Sequence, residues 1–373
     1  MSHATTGQQA ATADLAVDED LLAMMGDVLA GHSGPGVEPD PSAAWSTLAA
    51  VGLARLTAPE SSGGSGAGWA EASALLRLSA AAGVATPYAE TDLVVGPLRR
   101  AAALDDATTA TATLAVVGPD GLARRVAWAG GTDAVLFVRR AGRDDDEVGG
   151  RRAGGYELAE VPSGRTVITP ARGISAVPLG DVRPPADASW TAVDPAAVEA
   201  AVLRGALARA VQCGGAAEGM LDSAVAHTTQ RNQFGRPLAR FQSVQNLVVD
   251  IAAETVLARA AVDQAVADAL ATDLTGTLSG FRIAVARSVV SRALAVAVRN
   301  AHQVHGAIGT THEHTLHRLT LPALQWRGEF GSATFWESLL ADVAVAGGMD
   351  GAWPMVVEGA VIDGAAAWLD RVA

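Results

Sequence analysis

The 373-residue chain contains no lysine, so its 27 basic residues are all arginine. Because arginine stays protonated and cannot act as an amine nucleophile, this absence excludes Schiff-base and pyridoxal chemistry and any phosphate-binding loop that needs a lysine. Arginine is suited instead to bidentate contacts with phosphate or carboxylate groups. The cationic side chains therefore favour charge recognition over amine catalysis.

Cysteine and long apolar runs are scarce as well. Cys213 is the single cysteine, which excludes an internal disulfide and a thiolate metal cluster; its small apolar neighbours predict a buried thiol. No uninterrupted apolar run reaches the roughly 18 residues that span a bilayer. The N-terminal segment has neither the basic start nor the apolar stretch of a signal peptide. We therefore expect a cytoplasmic protein with no membrane segment.

The charge balance is acidic, with a net charge of −13 and a pI near 5.0. Such a balance argues against a nucleic-acid or anionic-membrane surface built on a broad basic field. With 49% apolar residues the chain can bury a sizeable core, and its length predicts two or three domains.

The spacing of apolar residues and turn sequences divides the chain into three regions. Apolar residues recur at helical spacing in 1–108, which predicts an N-terminal helical domain. Short β-rich runs between turn sequences occupy 109–192 and predict a small antiparallel β domain. Long alanine-rich helical patterns fill 193–373 and predict a four-helix bundle. The predicted fold class is mainly α with a middle β domain.

The helices of the bundle have readable limits. The first follows Asp194-Pro195, an N-cap residue and a proline at the first helical position. The predicted helices are Ala196–Thr229, Phe241–Thr272, Thr277–His302 and Phe330–Ala346.

Two connections between these helices contain candidate binding residues. In RNQFGRPL, Arg231 and Phe234 stand at a helix end, where an arginine can clamp a phosphate and a ring can cover an apolar cofactor edge. The alternative is an ordinary solvated loop. In QVHGAIGTT, the closely spaced Gly306 and Gly309 let backbone N–H groups approach an anion. The alternative there is a glycine that ends the helix.

Two further segments hold titratable groups. Five of the eight histidines lie between His302 and His317. Histidine is a common zinc or iron ligand, but the spacing matches no metal motif, so the sequence predicts no metal site and favours a polar loop lining. Glu329, in RGEFGS before the last helix, is either a general base or an acid that complements the helix dipole.

Taken together and in order, these segments resemble the acyl-CoA dehydrogenase family over nearly the whole chain. The resemblance begins at WSTLAAVGLARLTAPESSGGSGAG and continues through Thr86-Pro87 and Glu90. RNQFGRPLARFQSVQ and QVHGAIGTTHEHTLHR are its most specific blocks. It implies an N-terminal helical domain, a middle β domain, a C-terminal four-helix bundle and flavin adenine dinucleotide (FAD) bound between subunits.

The resemblance also implies roles for individual residues. Arg231 and Phe234 match the family positions that reach a flavin held mainly by the neighbouring subunit. Gln303, Gly306 and Gly309 match the segment that contacts the pyrophosphate, with Ala307 in place of one glycine. Ser332 resembles the hydroxyl position after the catalytic loop.

The catalytic positions depart from the family pattern. The usual glutamate falls on Phe330, the alternative glutamate on Gly205, and the arginine–aspartate pair before the catalytic loop on Leu321-Pro322. Glu329, one residue before Phe330, is the nearest carboxylate and the candidate base.

Two interpretations follow. The chain is an acyl-CoA dehydrogenase or a dehydrogenase-like subunit that acts on an acyl-CoA thioester, or it is a non-catalytic structural subunit of a heteromeric enzyme. Both imply a homo- or hetero-oligomer, and the first implies an electron-transferring flavoprotein as candidate acceptor. A metal enzyme that uses the histidines is a third alternative.

Overall fold

The N-terminal region is helical, as its apolar spacing predicts. The computed structural model describes residues 15–104, 106, 110–142 and 155–373; the first 14 residues, which entered the localisation prediction, lie outside them. The helices are α1 (Glu19–Ala30), α2 (Pro41–Ala50), α3 (Trp69–Ala81) and α4 (Gly96–Ala101), with a π-helical turn at Ala89–Val95. Asp18 and Asp40 accept hydrogen bonds from the first turns of α1 and α2, so side-chain caps set where these helices begin.

The middle region is a pair of small sheets. The strands are β1 (Ala112–Val116), β2 (Ala123–Ala127), β3 (Ala134–Arg140), β4 (Tyr156–Pro162), β5 (Val167–Ala171), β6 (Leu179–Arg183) and β7 (Thr191–Val193). One sheet has the order β1-β3-β4-β7 and the other β2-β6-β5. The expectation of a purely antiparallel domain is wrong at one place, because β1 and β3 run parallel. Between them the chain passes through β2 in the other sheet, and such a crossover returns a strand in the same direction.

The C-terminal region is a bundle of long helices. They are α5 (Pro195–Gln230), α6 (Gln242–Thr272), α7 (Ser279–His305), α8 (His317–Trp326), α9 (Ala333–Glu358) and α10 (Gly364–Val372). Asp194 caps α5 through the N–H of Ala196 at 2.9 Å, as predicted. The predicted last helix differs at both ends. It begins at Ala333, not at Phe330, because Phe330 and Gly331 have positive φ. It does not end at Ala346: it is interrupted by non-helical backbone at Gly348 and continues to Glu358.

Helix α5 lies at the centre of the molecule. Gly215 and Gly219 bring it against α3 so closely that an added Cβ would lie 2.3 Å from the carbonyl oxygen of Arg77 and 2.4 Å from that of Ala81. The main core joins α3, α5, α6 and α7. A second core packs the start of α5 against the four-stranded sheet, so α5 runs from the β domain to the far end of the bundle. Within the described ranges, no helix combines the length and apolarity that crossing a bilayer requires.

Candidate functional site

A cavity of about 590 Å³ lies where the β domain meets the bundle. Its walls come from β1, β2, the end of α8 and the loop after it, α10, and the middle of α5. The charged residues that line it are Glu90, Arg124, Arg125, Arg209, Glu329 and Arg371. A cavity of this size with a few convergent polar groups is typical of a small-molecule site.

Arg209 of α5 is the central charge of the cavity. Its side chain is 1% exposed and pairs with both Glu90 and Glu329. The Nε atom lies 2.7 Å from Oε2 of Glu329, and Nη1 donates to Gln212 at 2.7 Å. Gln325 donates to the other oxygen of Glu329 at 3.1 Å. The structure thus places the predicted base Glu329 on the cavity wall, with both of its carboxylate oxygens hydrogen-bonded.

Glu90 shares the same guanidinium but is more deeply buried. Burial raises the pKa of Glu90, an effect that the attraction of Arg209 opposes. Among the described residues, its Oε2 has no hydrogen-bond partner. The two glutamates next to one arginine would carry an excess negative charge if both were ionised, and this excess disfavours ionisation of the more buried one. Glu90 therefore retains a proton more readily than an exposed glutamate does.

A second buried arginine shapes the loop that contains Glu329. Arg287 of α7 donates to the carbonyl oxygens of Arg327 at 3.0 Å, Glu329 at 2.8 Å and Gly331 at 2.6 Å. Its burial lowers its pKa to about 10, which leaves it charged at neutral pH. One cation thus binds three carbonyl groups of this loop and stabilises its course. Neither Arg209 nor Arg287 was predicted as a site residue; the only sequence signal was a cation within an alanine-rich helix.

Phe330 and Gly205, to which the resemblance assigns the positions of the two missing glutamates, pack against each other. A Cβ added to Gly205 would lie 2.5 Å from the ring of Phe330. Phe330 adopts a φ of +51°, and its carbonyl oxygen accepts from Nε1 of Trp336 at 3.1 Å. The ring therefore fills the space that a side chain at 205 would need, so the two departures are one packing arrangement.

The predicted flavin residues lie at the other end of α5. Arg231 follows the last residue of α5 and is exposed, and Phe234 is 89% exposed in the short hairpin of β8 (Asn232–Gln233) and β9 (Arg236–Pro237). Twenty-two residues separate Arg209 from Arg231, or about 33 Å of helix at 1.5 Å per residue. Arg231 and Phe234 are therefore remote from the cavity of their own chain.

The glycine-rich segment ends α7 next to them. Gln303 and Gly306 are exposed, whereas Gly309 is buried. Gly306 has a φ of +63° with nothing within 4 Å of an added Cβ, and a Cβ on Gly309 would lie 2.7 Å from that of His305. Ser332 lies elsewhere, at the start of α9, where its hydroxyl accepts from the N–H of Phe335 at 3.2 Å.

The far end of the bundle has the donor set that a flavin dinucleotide needs. His227 and His305 stack with ring centroids 4.5 Å apart, so the end of α5 that precedes Arg231 adjoins the end of α7 that precedes Gly306. An exposed arginine follows one of these helix ends, with an exposed ring in the hairpin after it, and an open glycine turn follows the other. A cation and backbone N–H groups suit a pyrophosphate, and a ring suits an aromatic cofactor. These residues fit the group.

Three histidines cluster at this end of the bundle. The ligand atoms of His227, His305 and His314 lie within 4.8 Å of one another. Burial lowers the pKa of His305 to about 4, and burial followed by repulsion from neighbouring charged groups lowers those of His227 and His314. His305 is therefore neutral at pH 7. His227 was not part of the histidine-rich segment of the sequence, and no spacing could connect it with residues about 80 positions away.

Comparison with known proteins defines the class. Residues 196–332 match the family model described as "Acyl-CoA dehydrogenase, C-terminal domain", so this part of the chain is similar to the C-terminal domain of acyl-CoA dehydrogenases. Acyl-CoA dehydrogenase FadE34 of Mycobacterium tuberculosis is 30% identical over 324 residues, 78% of this chain and 40% of that protein. Acyl-CoA dehydrogenase IpdE2 of Mycolicibacterium smegmatis is 36% identical over 111 residues, 30% of this chain and 33% of that protein. These matches span less than half of either relative.

The solved structures show the same fold. The ChsE4-ChsE5 complex of Mycobacterium tuberculosis superposes with a TM-score of 0.76 at 21% identity, over 88% of this chain and 98% of that chain. The predicted fold class, with helical, β and helical regions in that order, is thereby confirmed.

Proposed function

We propose that this chain is a subunit of a flavin-dependent acyl-CoA dehydrogenase that removes hydrogen from the α and β carbons of an acyl-CoA thioester. The observation that carries the proposal is the cavity between the β domain and the bundle, lined by Glu90, Arg209 and Glu329. It gives a chain similar to acyl-CoA dehydrogenases a cavity with a carboxylate and a charge that holds it in place.

Each predicted residue has a role in this proposal. Glu329 is the base that takes the α-proton of the substrate, and Arg209 positions it. Arg231 and Phe234, with Gln303, Gly306 and Gly309, bind FAD held mainly by a neighbouring subunit. When bound, FAD supplies the hydride acceptor. The hydroxyl of Ser332 caps α9. Its contact with the cofactor stays a prediction that rests on the resemblance.

A second candidate is a non-catalytic subunit that supports a catalytic partner. Two observations favour it. Phe330 fills the space above Gly205, where the family glutamates are missing, and Glu329 is held by Arg209 and Gln325. A general base must reach the proton that it removes, and both carboxylate oxygens of Glu329 are already hydrogen-bonded within the chain.

The experiment that separates the two candidates is Glu329→Gln, assayed against acyl-CoA substrates with an artificial electron acceptor. Loss of a general base lowers the rate by about 10²–10⁴-fold. Glu337→Gln, an exposed glutamate on α9, is the matched control and should retain the parent rate. Equal rates in all three proteins would remove Glu329 from the mechanism. Activity that arises only with a partner subunit, and survives Glu329→Gln, would establish the non-catalytic candidate.

Both candidates require an oligomer. Exposed apolar side chains lie on α6 and in the second half of α9, among them Val249 (62%), Val256 (68%) and Trp353 (74%). Apolar exposure of this kind marks interaction surfaces. The ChsE4-ChsE5 structure is described as a complex, which supports a hetero-oligomer here. Light scattering with flavin present tests this, and a monomer of 37.8 kDa would contradict it. The electron-transferring flavoprotein and the cytoplasmic location stay predictions.

A further inference from the structure

Three histidine rings from separate parts of the chain converge at the end of the bundle away from the cavity. His227 lies in the last turn of α5, His305 is the last residue of α7, and His314 lies in the segment that leads to α8. The ring centroid of His305 is 4.5 Å from that of His227 and 4.7 Å from that of His314. We propose that these three imidazoles form a binding site for a divalent transition-metal ion, with zinc as the preferred occupant.

The ring of His305 is already oriented as a ligand. It is 5% exposed, and its Nδ1 lies 2.7 Å from the carbonyl oxygen of Ala301, one turn earlier in α7. A carbonyl can only accept, so the proton is on Nδ1, and the lone pair of Nε2 accepts from the Ser223 hydroxyl until an ion replaces that hydrogen. A metal-binding histidine commonly donates its second ring nitrogen to a backbone carbonyl in this way. Ser223 is 3.1 Å from Nε2, on the side where an ion would bind.

The other two rings can close on an ion by small rotations. Two nitrogens on one zinc are roughly 3.3 Å apart at Zn–N distances of about 2.0–2.1 Å in a tetrahedron, whereas the present separations reach at most 4.8 Å. His227 and His314 are only half-buried, so their side chains have room to turn. The N–H of Leu316 donates to Nδ1 of His314 at 3.1 Å. His314 gives up this bond when it coordinates, because Nδ1 either binds the ion itself or takes up the proton that leaves Nε2.

The ligand set selects the kind of ion. Three neutral nitrogen donors suit zinc and other late first-row metals, whereas magnesium and calcium prefer oxygen. Three protein ligands leave a fourth position for water or for the Ser223 hydroxyl. Bound there, the ion joins α5, α7 and the segment before α8 immediately behind Arg231 and Gly306. The site therefore stabilises this end of the bundle, independently of the proposed dehydrogenase activity.

The test measures metal binding directly. The full chain is stripped with a chelator and titrated with Co²⁺, whose visible absorption reports coordination, and then with Zn²⁺ as a competitor. We expect one ion per chain in the parent. His227→Gln and His314→Gln should each weaken binding by more than the roughly 10–100-fold that loss of an outer partner costs. His312→Gln, the same substitution at an exposed histidine of the same segment, is the control and should bind as the parent does.

A second readout is thermal. Zinc should raise the unfolding temperature of the parent and of His312→Gln, because a ligand that binds the folded state stabilises it. It should leave that of His227→Gln and His314→Gln unchanged. Both substituted side chains are partly exposed, and circular dichroism shows whether each variant folds; if one does not, the other decides. Absence of binding by the parent, or equal binding by all four proteins, would overturn the proposal.

Discussion

Helix α5 has an arginine at its middle and another just beyond its end, and the two are opposite in character. Arg209 is buried and its charge is compensated within the molecule by Glu90 and Glu329. Arg231, about 33 Å further along, is exposed beside Phe234 and the glycine turn. An internal arginine that is fully engaged organises a site, whereas an exposed one is available to a ligand. The cavity around Arg209 and the exposed residues around Arg231 can belong to one flavin site only if the Arg231 end of one subunit lies against the cavity of another.

The largest effect is expected at the buried arginine. Arg209→Met leaves Glu90 and Glu329 without their cation in a closed environment, and removal of one partner of a buried ion pair costs about 3–5 kcal/mol. Denaturant unfolding measures the free energy change. Arg259→Met is the control, because Arg259 is more than half exposed and its pairs with Glu218 and Asp263 are 3.6 Å long; surface pairs contribute about 0–1 kcal/mol.

Equal losses in the two variants would contradict the assignment of Arg209 as the charge that organises the cavity. A large loss confined to Arg209→Met would sharpen the contrast with the far end of α5.

The next effect concerns flavin at that far end. Arg231→Ala should weaken FAD binding by about 1.5–3 kcal/mol, the range for hydrogen bonds to a charged group, with no comparable loss of folding stability because the side chain is exposed. Equilibrium dialysis measures the dissociation constant, and Arg240→Ala, an exposed arginine ten residues beyond α5, is the control. Unchanged flavin content after extensive dialysis of Arg231→Ala would show that this end does not hold the cofactor.

The cavity around Arg209 and the exposed region around Arg231 also differ in how far the sequence predicts them. Exposed Arg231 and Gly306 stand in local motifs at helix ends, where spacing and turn chemistry are readable. The cavity depends on contacts across the chain: Glu90 and Glu329 are 119 and 120 residues from Arg209. Local patterns contain no such information. The same limit applies to His227, and to the parallel pairing of β1 with β3, which depends on the sheet to which β2 belongs.

Helix limits show the same division. The beginning of α5 was predictable because Asp194 and Pro195 act locally. The beginning of α9 was not, because the left-handed backbone at Phe330 and Gly331 depends on the carbonyl contacts of Arg287 and on the bond from Trp336.

A smaller effect tests whether Phe330 and Gly205 form one packing unit. Gly205→Ala places a methyl group against the ring of Phe330, and overpacking of this kind costs about 1–3 kcal/mol. Phe330→Leu removes the ring atoms that would clash. The double variant should therefore be more stable than the sum of the two single changes predicts, with a coupling of about 0.5–3 kcal/mol. Unfolding free energies of all four proteins complete the cycle, and strict additivity would show that the two positions are independent.

The smallest effect is a pH dependence at Glu90. Because burial raises its pKa in the folded state, the folded chain binds this proton more tightly than the unfolded chain. The contribution of Glu90 to stability is then fully present below the unfolded pKa, near 4.5, and is lost as the pH rises through the raised value. Glu90→Gln cannot ionise, so its unfolding free energy should fall less steeply than that of the parent above this pH. The difference for one proton is at most about 1.4 kcal/mol per pH unit.

Denaturant unfolding at a series of pH values compares the slopes, which do not depend on any constant change in stability from the substitution. Glu337→Gln, on the exposed face of α9, should run parallel to the parent. Parallel curves for Glu90→Gln as well would mean that Arg209 keeps Glu90 ionised, and that the cavity contains two carboxylates on one cation.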